Sequence, residues 1–148
     1  MNNICANLVA WMELTEAKAR YCRFLDTKDW QAFGDLMTDD FELDLSGTSA
    51  QGTFKGRQAA LQTIRASIET AKTVHQVHNP EITLNEQGDE ARVIWAMQDR
   101  VVWPETGQSL TGYGHYNECW RKENDEWKLA AQKLTRLHME LTPPGEPD

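Results

Sequence analysis

Asp26 and His75 are the side chains of this chain best suited to moving a proton. Asp26 lies in FLDTKDW, Phe24 to Trp30, and His75 in TVHQVHNPEI, Thr73 to Ile82. A carboxylate that accepts a hydrogen bond from one imidazole nitrogen fixes the tautomer and leaves the other nitrogen as a base. The pair can work only if an Asp26 oxygen comes within about 3.2 Å of a His75 ring nitrogen inside an enclosed pocket. Other polar residues could complete such a site. Asp99 interrupts an apolar face made of Val93, Trp95, Met97, Val101 and Trp103, where a carboxylate is costly unless paired or protonated. Tyr113, His115 and Asn117 alternate onto one strand face and would suit a polar pocket wall. Arg136 could anchor a carboxylate or phosphate-like group.

Each of these has a plainer reading. Asp26 falls at the end of the first helical pattern, where the macrodipole disfavours a carboxylate by about 0.3–1 kcal/mol. It could instead cap the next helix, but Thr27 already suits that job. His75 shares a strand face with Val77 and Asn79, a pattern that by itself fits a structural or surface histidine; His78 falls on the opposite face. Asp99 could be one half of an ion pair, with Arg100 pointing the other way. Tyr113, His115, Asn117 and Arg136 could all face solvent. The histidines at 75, 78 and 115 lack metal-ligand spacing, so no metal site is expected. No serine sits in a nucleophile elbow.

The elements that must position these residues follow from periodicity. Trp11, Leu14, Tyr21 and Leu25 recur at helical spacing. Thr27 is expected to cap a second helix that carries Trp30, Phe33, Leu36 and Met37 inward and ends at Asp39 and Asp40. Phe41, Leu43 and Leu45 alternate as a short strand, and Gly47 to Gly52 reads as a polar loop. A third helix follows Gly56, with Ala60, Leu61, Ile64 and Ile68 as its stripe. Beyond Thr73 four strands are predicted: Val74 to Leu84, Ala91 to Trp103, Ser109 to Lys122 and Trp127 to His138. Turn residues separate them, so the sheet is mostly antiparallel. Helices followed by a long meander make an α+β fold. One domain is expected over 1–141, with a mobile tail over 142–148 that carries three prolines.

Composition narrows the classes. The 148 residues suit one core, and the formal net charge of −8 disfavours nucleic acid and anionic membrane surfaces. Six tryptophans suggest a cavity or interface with aromatic walls. Cys5, Cys22 and Cys119 form an odd, widely spaced set, which suggests a reducing, cytoplasmic setting. A basic stretch followed by an apolar run is missing from the N-terminus, so no signal peptide is expected.

The succession of Tyr21, FLDTKDW, GRQAAL, TVHQVHNPE, GYGHYNECWRK and EWKL resembles the SnoaL-like branch of the NTF2-like superfamily, from about Glu13 to Leu141. This group includes scytalone dehydratase, bile acid dehydratase and hexachlorocyclohexane dehydrochlorinase. The resemblance implies a cone-shaped fold, three N-terminal helices packed on a curved mixed sheet, and a homodimer through the open sheet face. It implies that Asp26 and His75 are the catalytic dyad. Tyr21 falls where bile acid dehydratase has a catalytic tyrosine and the dehydrochlorinase a lysine. Asp99, Asn117 and Arg136 match substrate-binding positions, with Tyr113 and His115 beside them. The chemistry implied is proton transfer without a cofactor: loss of water or movement of a double bond in a bulky, mostly apolar molecule such as a polyketide, steroid or terpenoid. Two alternatives remain open, a non-catalytic small-molecule binder and a small subunit of a larger oxygenase.

Overall fold

The structure, a computed structural model, describes residues 4–145. Three helices cover one face of a six-stranded mixed sheet, in the α+β arrangement expected. The helices are α1 (Ile4–Thr27), α2 (Trp30–Asp35) and α3 (Arg57–Ile68). The strands are β1 (Met37–Gly47), β2 (Thr53–Lys55), β3 (Lys72–Leu84), β4 (Glu90–Trp103), β5 (Gln108–Glu123) and β6 (Glu126–Thr142). Their order in the sheet is β2-β1-β6-β5-β4-β3, with only β1 and β6 parallel.

Alternation along β4 turns Val93, Trp95, Met97, Asp99 and Val101 to the buried side of the sheet, the first three of them into the core. The inward stripe of α1 is Ala10, Leu14, Ala17, Lys18, Tyr21 and Leu25. Trp11, expected on that stripe, is 46% exposed, and the fully buried Lys18 belongs to it instead. A charged residue thus occupies a position whose phase is apolar.

The junction of α1 and α2 departs from expectation and sets the site. Thr27 stays within α1, its hydroxyl bonded back to the Arg23 carbonyl at 2.8 Å. Asp29 is the cap of α2, accepting from the Ala32 N–H at 3.2 Å. Lys28 takes the left-handed conformation (φ 61°), and the Asp29 N–H closes on the Phe24 carbonyl at 2.9 Å. This termination normally favours glycine. Helix α2 is short because β1 begins at Met37; Asp39 and Asp40 lie in that strand rather than ending a helix. The loop read over Gly47 to Gly52 leads into β2, a strand not foreseen. In the expected tail, Thr142 belongs to β6 and the Gly145 N–H bonds the Thr106 carbonyl at 2.8 Å; residues 146–148 lie outside the described residues. No helix among the described residues is long and apolar enough to cross a membrane.

Candidate active site

Asp26 sits in the last turn of α1, beside the start of β3. Its Oδ2 accepts the backbone N–H of His75 at 2.8 Å, and its Oδ1 accepts the Thr73 hydroxyl at 2.9 Å. The same Oδ1 lies 2.6 Å from His75 Nδ1. Lys28, turned by its left-handed backbone, donates from Nζ to the Thr73 hydroxyl at 2.7 Å. Burial lowers the Lys28 ammonium from its usual value, while the Asp26 charge works in the opposite direction. These contacts satisfy Asp26 as an anion and set the imidazole with Nδ1 toward it. His75 Nε2 is left without a hydrogen-bond partner among the described residues, 4.0 Å from Asp99 Oδ2.

Asp99 is 4% exposed and forms a bidentate pair with Arg136, at 2.6 and 2.8 Å. The ion-pair reading of Asp99 is the realised one. Burial opposes the Arg136 charge, but the bonds and charge of Asp99 outweigh it and raise its pKa. Arg136 is therefore committed to Asp99 and is not a bare anion anchor. Gly112 lies opposite Asp99 on β5. A Cβ there would come 2.1 Å from Arg136 Nη1 and 2.4 Å from Asp99 Oδ1, so only glycine admits the pair. Sequence reading missed this glycine; its signal was a Gly directly across a hairpin from a carboxylate.

His75, Asp99 and Arg136 line a cavity of about 250 Å³ together with Tyr21, Tyr116 and Gln132. Leucines 25, 43, 45, 110 and 134, Ile64, Ile68 and Val101 supply most of its apolar wall, and Thr48, Ser49, Thr63 and Ser67 add hydroxyls to it. Of the six tryptophans only Trp103 reaches it; Trp95 and Trp120 are buried in the core.

Tyr113, His115 and Asn117 are not brought to the cavity. The inward residues of β5 are Gly112, Gly114, Tyr116, Glu118 and Trp120. The burial of two aromatic rings fixed the phase of this strand, and the polar triplet faces outward. There Tyr113 stacks on His138 with ring centroids 6.1 Å apart, and the Asn117 amide reaches the Lys133 carbonyl at 3.4 Å. The pocket-wall expectation for these three residues is corrected accordingly.

Beneath the cavity lies a second polar cluster that the sequence did not reveal. Glu118 pairs with Lys18, both side chains fully buried. It also accepts from Trp95 Nε1 (2.9 Å), Trp120 Nε1 (2.7 Å) and Gln132 Nε2 (2.9 Å). The Tyr21 hydroxyl donates to Gln132 Oε1 at 3.0 Å. Lys18 Nζ also lies 3.6 Å from the Tyr21 ring centroid and 3.9 Å from that of Tyr116. Burial, then the Glu118 charge, pushes the Tyr21 phenol well above its ordinary range; burial, then Tyr21 and Asp99, does the same for Tyr116. Among the described residues no cluster of three or more His, Cys, Asp or Glu is placed to hold a metal ion.

With this geometry in view, the SnoaL-like domain family matches residues 8–133. The chain belongs to the SnoaL-like family, within the NTF2-like superfamily. This SnoaL-like protein is 29% identical over 133 residues to a candidate cyclase of Gibberella zeae, covering 84% of this chain and 89% of that protein. In fold it is similar to a candidate scytalone dehydratase of Novosphingobium aromaticivorans, with a TM-score of 0.82, 19% identity, and 98% and 99% of the two chains covered. A hexachlorocyclohexane dehydrochlorinase of Novosphingobium barchaimii superposes with a TM-score of 0.79 at 16% identity, over 98% and 97% of the chains.

Proposed function

We propose that this SnoaL-like protein is a cofactor-independent lyase or isomerase of the dehydratase kind. The observation that carries the reading is the 2.6 Å contact of His75 Nδ1 with Asp26, which leaves Nε2 open at a cavity wall. His75 Nε2 takes a proton from a carbon next to a carbonyl, and the electron pair becomes a carbon–carbon double bond. In a dehydration the hydroxyl on the adjacent carbon leaves, and the proton held by His75 departs with it as water. In an isomerisation His75 returns the proton to another carbon. Asp26 stabilises the imidazolium through Nδ1, while Asp99, 4.0 Å from Nε2, has its charge balanced by Arg136 and serves to hold that side of the site in place. The relatives named for cyclase, dehydratase and dehydrochlorinase activity are consistent with this class.

The substrate in this reading is mostly apolar, as the leucine and isoleucine walls require. A cavity of about 250 Å³ lies just below the usual range for ligand pockets, roughly 300–1,000 Å³. That favours a molecule of about two fused rings, of polyketide or terpenoid type, over a four-ring steroid. The same reading includes a homodimer through the outward sheet face, where Val74, Ile94 and Leu137 are exposed; sedimentation would check it.

The test is turnover of a panel of hydroxy ketones and hydroxysteroids by the native protein and by His75→Ala. Loss of turnover with retained binding is expected. Unchanged turnover would remove His75 as the base, and tight binding without any turnover would favour a pure binder.

A further inference from the structure

We infer that the two cavity tyrosines have opposite hydrogen-bond polarity: Tyr116 donates to a carbonyl oxygen of the substrate, while Tyr21 can only accept. This rests on the proton-transfer reading and narrows its substrate to a hydroxy ketone.

The polarity is set from below. Glu118 receives four donors, from Lys18, Trp95, Trp120 and Gln132. A carboxylate so placed is an acceptor only, so the Gln132 amide must turn its N–H₂ to Glu118. Its Oε1 then faces Tyr21, which spends its single hydroxyl hydrogen there, at 3.0 Å. What Tyr21 has left for the cavity is a lone pair. Tyr116 differs. Its hydroxyl has no hydrogen-bond partner among the described residues, yet only Thr38 Oγ1 among them is both sealed and unpartnered. The Tyr116 hydroxyl therefore opens into the cavity with its hydrogen free. Its ring is held edge-on to Tyr21, centroids 6.0 Å apart, and over Lys18. When His75 removes a proton next to a carbonyl, negative charge grows on the carbonyl oxygen, where a donor acts most strongly. A substrate hydroxyl is the natural partner for Tyr21.

The probe is 2-tetralone, a two-ring ketone whose oxygen accepts and cannot donate. Tyr116→Phe is expected to weaken its binding by about three- to tenfold, the worth of one hydrogen bond. Tyr21→Phe should leave it within about twofold. The carbonyl stretch of bound 2-tetralone should be lowered in the native protein and in Tyr21→Phe, and restored in Tyr116→Phe. A merely structural role for Tyr116 would not move that band in this selective way. The reverse pattern, an unshifted band, or no binding to the native protein would overturn the assignment. Exchange of the α-hydrogens of 2-tetralone in D₂O reports separately on the base. If the tyrosine pattern holds while exchange is the same in His75→Ala, the dyad fails and the polarity stands.

Discussion

Asp26 and Glu118 are both carboxylates held by several donors, and the contrast between them separates chemistry from support. Glu118 is buried and balanced: one ammonium and three N–H groups converge on it, with the core closed around them. It can receive nothing further. Asp26 has a backbone N–H, a hydroxyl and an imidazole nitrogen, and its side chain keeps 21% of its exposure. One of its partners ends in a ring nitrogen that is still available. A saturated carboxylate fixes what surrounds it; a carboxylate linked to an open imidazole can pass a charge on.

Substitution should break this contrast in opposite ways. Asp26→Asn keeps the shape but removes the charge that stabilises imidazolium. Turnover of any substrate found should fall by about 10²–10⁴, with little change in denaturant midpoint. Glu118→Gln strands a buried ammonium at Lys18. It should cost about 3–5 kcal/mol of stability in denaturant unfolding. If instead Asp26→Asn unfolds the protein and Glu118→Gln does not, the two roles are exchanged.

Alkaline unfolding sharpens the same division. Tyr21 and Tyr116 have folded pKa values raised above the ordinary tyrosine value, largely by burial, and Cys22 is pushed up to about 11 by burial, against the opposing Lys18 charge and with Asp26 and Glu118 adding to it. The unfolded chain releases these protons first, the thiol near pH 9 and the phenols near pH 10. The stability is full below those values and falls as pH rises beyond them, by about 1.4 kcal/mol per unit for each proton the fold retains. Tyr116→Phe should flatten that decline; an unchanged slope would contradict the burial argument. The smallest effect is on thiol labelling near pH 8. Exposed Cys5 and Cys119 should react promptly, and Cys22 more slowly, because burial shields its thiol and pushes its pKa up to about 11.

The strands β3 to β6 were legible because turn residues such as Asn85 to Asp89 and Gly107 punctuate clean alternation, and their ends shift by at most a few residues. Asp26 and His75 were visible as residues, but only the family resemblance gave a reason for them to meet. Periodicity could not say that the left-handed Lys28 ends α1 with its last turn against β3. The phase of β5 is set by Tyr116 and Trp120, whose burial yields more free energy than that of Tyr113, His115 and Asn117 could, and the polar alternation alone does not show it. Lys18 and Glu118 stand 100 residues apart, and each alone looks like a surface charge. Only their shared burial shows them as a pair.

The protonation of the His75 ring can be read without any substrate, by long-range ¹H–¹⁵N NMR of the imidazole at a pH where it is neutral. The hydrogen is expected on Nδ1, bonded to Asp26, with Nε2 bare, and Asp26→Asn should disturb that preference. A hydrogen on Nε2 in the native protein would contradict the assignment of His75 as the base.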